Sequence, residues 1–387
     1  HYLEVYFKFR VRKFMKLFKS LLVAPATLGL LAPLSATANE VTINDFNPAE
    51  ELAVTNSRVD GLEARLNNVE AGSFSTTTSA SFGADFVIGA VEGAHLNASE
   101  SVQFSYQYGM NLSTSFTGED SLDLTIETGN AAGKVSTFLD MNAMSDIMNL
   151  DGITYTFPLG DSTTVMVGDS TDISALYSTS CTYSAFTDLL GNCGSGTAAG
   201  LGGGTDASSS SSATVAAAYD FGNGFTVAGG FSGTGGSTSG ILTANSYDAY
   251  GLQAAYNTDS YGVSLSYALT DTSATAETSF WGLNAFYSFD GEGLPSISVG
   301  YESEDPSASD TEEGYFVGLS WDSVGPGSLS VGMSSTENFK DSDTEYYQYE
   351  AAYTYPVNDG MTITPGVFIK EGYTDETGVV LKTSFSF

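Results

Sequence analysis

Leu381-Lys382-Thr383-Ser384-Phe385-Ser386-Phe387 alternates apolar with polar at every position but Thr383. Successive side chains of an extended chain point to opposite sides. Val379, Leu381, Phe385 and Phe387 therefore share one face, and Lys382, Ser384 and Ser386 share the other. Neither face suits a dry two-layer core, because one is apolar except at Thr383 and the other is small, polar and basic over Lys382 to Ser386. The segment reads as a strand with grease on one side and water on the other.

The same two-sidedness runs backwards along the chain. Met361, Ile363, Val367 and Ile369 oppose Thr362, Thr364 and Lys370, while Tyr347, Tyr349, Tyr353 and Tyr355 oppose Gln348, Glu350 and Thr354. Near the other end, Phe104, Tyr106, Tyr108, Met110 and Leu112 oppose Gln103, Ser105, Gln107, Asn111 and Ser113. About sixteen such segments lie between Ser73 and Phe387, with no helix-length apolar run among them. Connections after even-numbered segments are tight, as in Pro158-Leu159-Gly160-Asp161, Gly222-Asn223-Gly224 and Gly325-Pro326-Gly327. Those after odd-numbered segments are generally longer and more acidic. This asymmetry, with about 20 residues per strand, is the pattern of a transmembrane antiparallel β-barrel with short turns at one rim and long loops at the other. Aromatic pairs at strand ends (Tyr155 and Phe157, Tyr219 and Phe221, Tyr287 and Phe289) suit the two edges of a membrane. A strand ending in Phe is the address that outer-membrane barrels present to their assembly machinery. The expected fold class is all-β.

The N-terminal residues differ in texture. Met15-Lys16-Leu17-Phe18-Lys19, the apolar run to Leu34 and Ala36-Thr37-Ala38 form a secretory leader. Residues 1–38 are accordingly expected to be a leader with an over-extended start, and the mature protein to begin at Asn39. In residues 39–72, Leu52, Thr55, Val59, Leu62, Leu66 and Val69 recur at alternating spacings of three and four. This predicts a short coiled-coil helix, which would help barrels associate or else pack against one of them. Residues 73–387 form the barrel. The chain has 46 acidic against 12 basic residues, and six of the basic ones precede Asn39. Such a field disfavours nucleic acid and attracts cations; it also serves solubility.

Candidate working residues follow from strand parity. Asp85, Asp123, Glu127, Glu350, Lys370 and Lys382 face the inside, and Glu350 lies close enough in strand order to pair laterally with the two lysines. The connection at 169–212 is the longest, and loops of that length are usually functional. It carries Asp172, Asp188 and Asp206 without a basic residue, together with Cys181 and Cys193, which an exported chain would join as a disulfide. It either enters the barrel or lies outside. Acids such as Glu302, Glu304, Asp305, Asp310, Glu312 and Glu313 are read as outer-loop residues. No catalytic constellation stands out: His95, the one histidine after the leader, falls in a predicted outer loop. No metal site or cofactor is expected, and no enzyme.

Arg58-Val59-Asp60-Gly61-Leu62-Glu63-Ala64-Arg65, Phe74-Ser75-Thr76-Thr77-Thr78 and Ile153-Thr154-Tyr155-Thr156-Phe157-Pro158-Leu159-Gly160-Asp161 carry a resemblance to cyanobacterial Som-type outer-membrane porins, often called iron uptake porins. The resemblance implies a sixteen-stranded homotrimeric barrel in outer-membrane lipid, passing small solutes and inorganic ions, including iron. It also implies a third outer loop that folds inward and narrows the pore. Such porins usually carry a surface-layer homology domain before the coiled coil. Residues 39–51 are too short for one, which argues against peptidoglycan contact. The expected function is passive, cation-preferring diffusion; the alternative is a structural or adhesive barrel that organises the envelope.

Overall fold

A computed structural model describes residues 78–387 except 94–99, 191–192, 194–212, 234–239, 244–245, 274–275, 292, 308–310 and 336–345. The leader and the heptad segment at Leu52–Val69 lie outside the described residues.

Sixteen antiparallel strands close into one barrel, each paired with its neighbours in sequence and the first with the last. They are β1 (Thr78–Glu92), β2 (Gln103–Thr114), β3 (Ser121–Gly129), β4 (Asn149–Pro158), β5 (Thr163–Asp169) and β6 (Ala213–Asp220). There follow β7 (Phe225–Gly233), β8 (Asp248–Asn257), β9 (Tyr261–Ser273), β10 (Ala276–Ser288) and β11 (Ser296–Pro306). The wall is completed by β12 (Glu312–Val324), β13 (Gly327–Ser335), β14 (Tyr347–Asn358), β15 (Met361–Lys370) and β16 (Glu376–Ser386). Closure satisfies every edge, which is what a β structure in lipid requires. At the seam, Gly83 pairs with Ser386 and the ladder runs to Glu92 with Thr377. Phe82 N–H donates to the Phe387 carbonyl at 2.8 Å, and Phe387 N–H returns the bond at 3.1 Å.

Side-chain alternation sorts the two faces. Val379, Leu381, Val367, Ile369, Leu265, Leu283 and Val299 stand exposed on the outside. Two aromatic belts flank them. Near the turn rim lie Tyr155 with Phe157, Tyr219 with Phe221, Phe225 with Tyr256 and Tyr287 with Phe289. Near the loop rim lie Phe231 with Tyr250, Tyr267 with Trp281 and Tyr315 with Tyr347. Amphipathic rings at two levels mark the edges of an apolar band.

The tight turns are fixed by local chemistry. Asp120 Oδ1 accepts from the backbone N–H groups of Phe116 and Thr117 and from the Ser115 hydroxyl, and Oδ2 accepts from Tyr155 at 2.6 Å. The tyrosine hydroxyl foremost, then these donors, hold the Asp120 carboxyl below the usual carboxylate range against the opposing effect of burial.

The loop rim departs from expectation in two places. Strands β9 and β10 continue to Ser273 and from Ala276, where a longer connection was anticipated. Strand β11 likewise runs on to Pro306. Glu302, Glu304 and Asp305 therefore are not loop residues, nor are Glu312 and Glu313, which open β12; Glu302 and Glu304 pair with Gly282 and Phe280 of β10 on the inner face, where Glu302 is 3% exposed. Acid-rich strand ends look like loops in sequence because charge is tolerated wherever a wall faces water or another polar segment.

Candidate functional site

The inside of the barrel is wet in composition but not empty of protein. Described parts of two loops line its inner wall. The 3-10 turn Ile173–Leu176, at the start of the loop after β5, is capped by Asp172, whose Oδ1 accepts from Ala175 N–H at 3.1 Å. It packs Ile173 onto Met166 and Ala216. The chain then follows the inner wall strand by strand. Ser178 N–H donates to Gln253 of β8 at 2.7 Å, Ser180 Oγ to Asn257 at 2.7 Å, and Thr182 N–H to Ser298 of β11 at 3.0 Å. Further on, Tyr183 stacks edge-on to Phe316 of β12.

The loop is fastened at Glu350 of β14, which is 3% exposed. Its Oε1 accepts from the Tyr183 hydroxyl at 2.8 Å and from Phe186 N–H at 2.7 Å. Its Oε2 accepts from Thr187 N–H at 2.8 Å and from the Thr187 hydroxyl. A carboxylate whose oxygens are filled by four donors is a strong, oriented anchor. Burial first, and then the charge of Glu350, push the Tyr183 phenol far above its ordinary pKa and keep it a donor. Glycines make room for the loop. A Cβ at Gly332 would sit 2.6 Å from the Tyr183 hydroxyl, and one at Gly366 would collide with the Phe186 ring. Cys181 and Cys193 are joined as a disulfide with Cα atoms 6.2 Å apart, tying the loop into a small ring. Asn284 of β10 lies 3.4 Å from the Cys193 carbonyl.

A second loop, between β3 and β4, covers the wall that the first leaves bare. Val135 N–H, in the 3-10 turn Val135–Leu139, donates to Gln103 of β2 at 2.6 Å, and Asn142 N–H to Gln107 at 3.1 Å. Ala131, Val135, Leu139 and Met141 pack with Val87, Val91, Phe368 and Val380 of the wall and with Phe186 of the long loop. This dry island departs from the polar inner face that the alternation predicts. Asp188 N–H donates to the Phe138 carbonyl at 2.9 Å, joining the two loops directly.

Each sequence-selected residue can now be placed. Asp85, Asp123, Glu127, Glu350, Lys370 and Lys382 all fall on the inner face by register. Asp85 accepts from Gln107 Nε2 at 2.7 Å, Asp123 from Ser121 at 2.7 Å, and Glu127 from Asn142 Nδ2 at 2.7 Å. The anticipated lateral pairing of Glu350 with Lys370 or Lys382 is replaced by the loop, whose nearer donors fill both oxygens. Asp172 and Asp188 lie on the long loop, while Asp206, His95 and Lys340 lie outside the described residues. Sequence reasoning missed Asp140. Burial, and then the charge of Asp140, raise the Asp188 carboxyl above its ordinary pKa, and Asn142, two residues on from Asp140, holds Glu127. The two loops and β3 thus bring three acids into one electrostatic neighbourhood. The apolar residues Val135, Phe138, Leu139 and Met141 of this loop were the available signal that it is covered.

A family model described as Gram-negative porin matches residues 160–371, more than half of the chain. An uncharacterized protein of Nostoc sp. is 30% identical over 155 residues, covering 36% of this chain and 27% of its own length. The match therefore spans only about a quarter of that relative. Among solved structures, Pseudomonas putida OprB superposes with a TM-score of 0.59 at 13% identity, over 80% of this chain and 94% of that one. A loop-deletion mutant of OmpT from Vibrio cholerae gives 0.56 at 11% identity, over 80% and 99%. A triple mutant of the Rhodopseudomonas blastica porin gives 0.54 at 14% identity, over 80% and 100%. At such identities the likeness is one of fold.

Proposed function

Because the chain belongs to the Gram-negative porin family, we propose that it is an outer-membrane pore through which small hydrophilic solutes diffuse passively, cations ahead of anions. The observation that carries this reading is the long loop laid along the inner wall and fastened to Glu350. A loop held inside a barrel narrows the passage and sets its charge. The neighbourhood of Asp140, Asp188 and Glu127 supports the cation preference, since fixed negative charge between low-dielectric walls concentrates cations. From Ser73 onward the only basic residues are Lys134, Lys340, Lys370 and Lys382.

The quoted segments support a narrower placement among Som-type porins, and iron is included among the permeant ions on that resemblance alone. On the same ground three barrels assemble in the membrane, with the heptad segment of residues 39–72 helping them meet and the leader of residues 1–38 removed on export. The pore needs no cofactor.

A planar-bilayer measurement in a KCl gradient tests the proposal. The reversal potential should take the sign of cation preference, and anion preference or absence of conductance would overturn it. A second reading, a structural barrel, draws on the two loops that line the inner wall. It predicts an envelope defect on deletion with solute permeability unchanged.

A further inference from the structure

The loop between β3 and β4 is held by the same chemistry as the long loop: side-chain oxygens of the wall accept from its backbone N–H groups. Gln103 and Gln107 share the inner face of β2, four residues apart. Gln103 Oε1 takes Val135 N–H at 2.6 Å, where the 3-10 turn begins, and Gln107 Oε1 takes Asn142 N–H at 3.1 Å, just past its end. Between these two staples the chain turns back at Asp140, whose backbone is left-handed (φ 51°) and whose N–H donates to the Ser136 carbonyl.

Phe138 is where the two loops and the wall meet. Its ring lies 4.8 Å from that of Phe368 on β15, which is 1% exposed and lies across Gly378, where any Cβ would collide with it. Its backbone carbonyl accepts from Asp188 N–H of the long loop at 2.9 Å. Asp188 follows directly on Thr187, whose N–H and hydroxyl both reach Glu350. Phe186 of the long loop and Val135 and Leu139 of the other share one buried cluster with Phe368 and Val380 of the wall. Taking away either loop would turn the apolar side of the other toward water. Water can replace a lost hydrogen bond, but it cannot replace buried apolar contact. Residues of one such cluster depend on each other, and their energies do not add.

We propose that the constriction is built from two loops that dock as one body, with Phe138 as the residue that positions the long loop against β15. The long loop is then fixed from two sides, by Glu350 on the wall and by Phe138 on the second loop. Asp140 travels with Phe138, so the charge beside the passage depends on both loops being in place. The effect on current rests on the pore reading; the docking itself does not.

Hydrogen exchange read by mass spectrometry on the detergent-solubilised full chain tests this by perturbing one loop and watching the other. Phe138 makes none of the four hydrogen bonds to Glu350. Even so, Phe138→Ala should speed exchange at Phe186 and Thr187 by about five-fold or more. Glu350→Ala should do the same at Val135 and Asn142, whose acceptors Gln103 and Gln107 it leaves in place. Phe138→Leu, which keeps apolar bulk, should restore most of the protection. Unchanged amides in β7 and β8, across the barrel from β15, report an intact wall. Wild-type exchange in one loop while the other is perturbed would overturn the proposal, as would a loss in Phe138→Leu equal to that in Phe138→Ala. Bilayer recording separates the two readings. Phe138→Ala, Glu350→Ala and the double variant should flicker to a similar extent, and effects that add in the double variant sink the joint docking alone. Reciprocal loss of protection in a preparation that does not conduct sinks the pore reading and leaves the joint docking standing.

Discussion

Removing the carboxylate of Glu350 should unfasten the long loop without dismantling the wall. Four donors converge on it: the Tyr183 hydroxyl, the Phe186 and Thr187 N–H groups and the Thr187 hydroxyl. One hydrogen bond to a charged group contributes about 1.5–3 kcal/mol. Water in the lumen would re-satisfy part of the set, so about 2–3 kcal/mol is a fair total for Glu350→Ala. At about 1.4 kcal/mol per factor of ten, docked loops become roughly 30- to 150-fold less favoured over undocked ones. Glu350→Gln is subtler. Its carbonyl oxygen can keep Tyr183 and Phe186, but its NH₂ group then faces the N–H of Thr187, donor against donor. Single-channel recording in planar bilayers is the assay. Wild-type protein should show a steady level, Glu350→Ala a larger mean conductance with frequent flicker, and Glu350→Gln an intermediate trace. If both variants fold, by circular dichroism, and give wild-type conductance and noise, the loop is not held by Glu350 and the reasoning fails.

Two further outcomes follow from the same loop. Reduction of the Cys181–Cys193 disulfide releases a ring of sequence separation 12, worth about 3 kcal/mol of chain entropy in the simple closure model. Current noise should rise on adding dithiothreitol to wild-type protein and stay unchanged in the Cys181→Ser/Cys193→Ser double variant; a response in the double variant would exclude the disulfide as its origin. Asp188, with its carboxyl raised by burial and by Asp140, carries full charge only above that raised pKa and loses it as pH falls. Cation preference should therefore decline at a higher pH than ordinary carboxylates titrate, and Asp188→Asn should shift the reversal potential at pH 7 toward zero. A wild-type reversal potential that stays flat down to pH 4 would count against this.

Much of the wall was legible because two independent signals agreed. Alternation assigned faces, and glycine, asparagine and proline at the turns counted strands. Asp85, Asp123, Glu127, Glu350, Lys370 and Lys382 could be put on a common face because register depends only on a period of two. The contents of the lumen were harder to read. Glu350 is separated from its loop partners by more than 160 residues, and nothing local distinguishes an anchoring glutamate from a solvated one. The dry island was half visible: Val87, Val91 and Val380 sit at inward positions where a wet lumen has no use for them. Such residues imply a cover, but parity cannot name it. Glu302, Glu304 and Asp305 were misplaced because apolar alternation stops at Tyr301, whereas the pairing of β11 with β10 continues to Pro306.

The seam between β1 and β16 has a kinetic consequence. Every other pairing joins consecutive strands, as when Thr214 meets Ser232 some 18 residues on, but Phe86 meets Thr383 roughly 300 residues away. Loop-closure entropy grows with the logarithm of length, so the seam costs about 2.4 kcal/mol more to initiate than a hairpin. Until it zips, β1 and β16 present bare edges that could recruit any strand from a neighbouring chain. Barrel formation should thus be a race between intramolecular closure and aggregation. Its outcome would depend on protein concentration, and on any helper that shelters one edge until the other arrives.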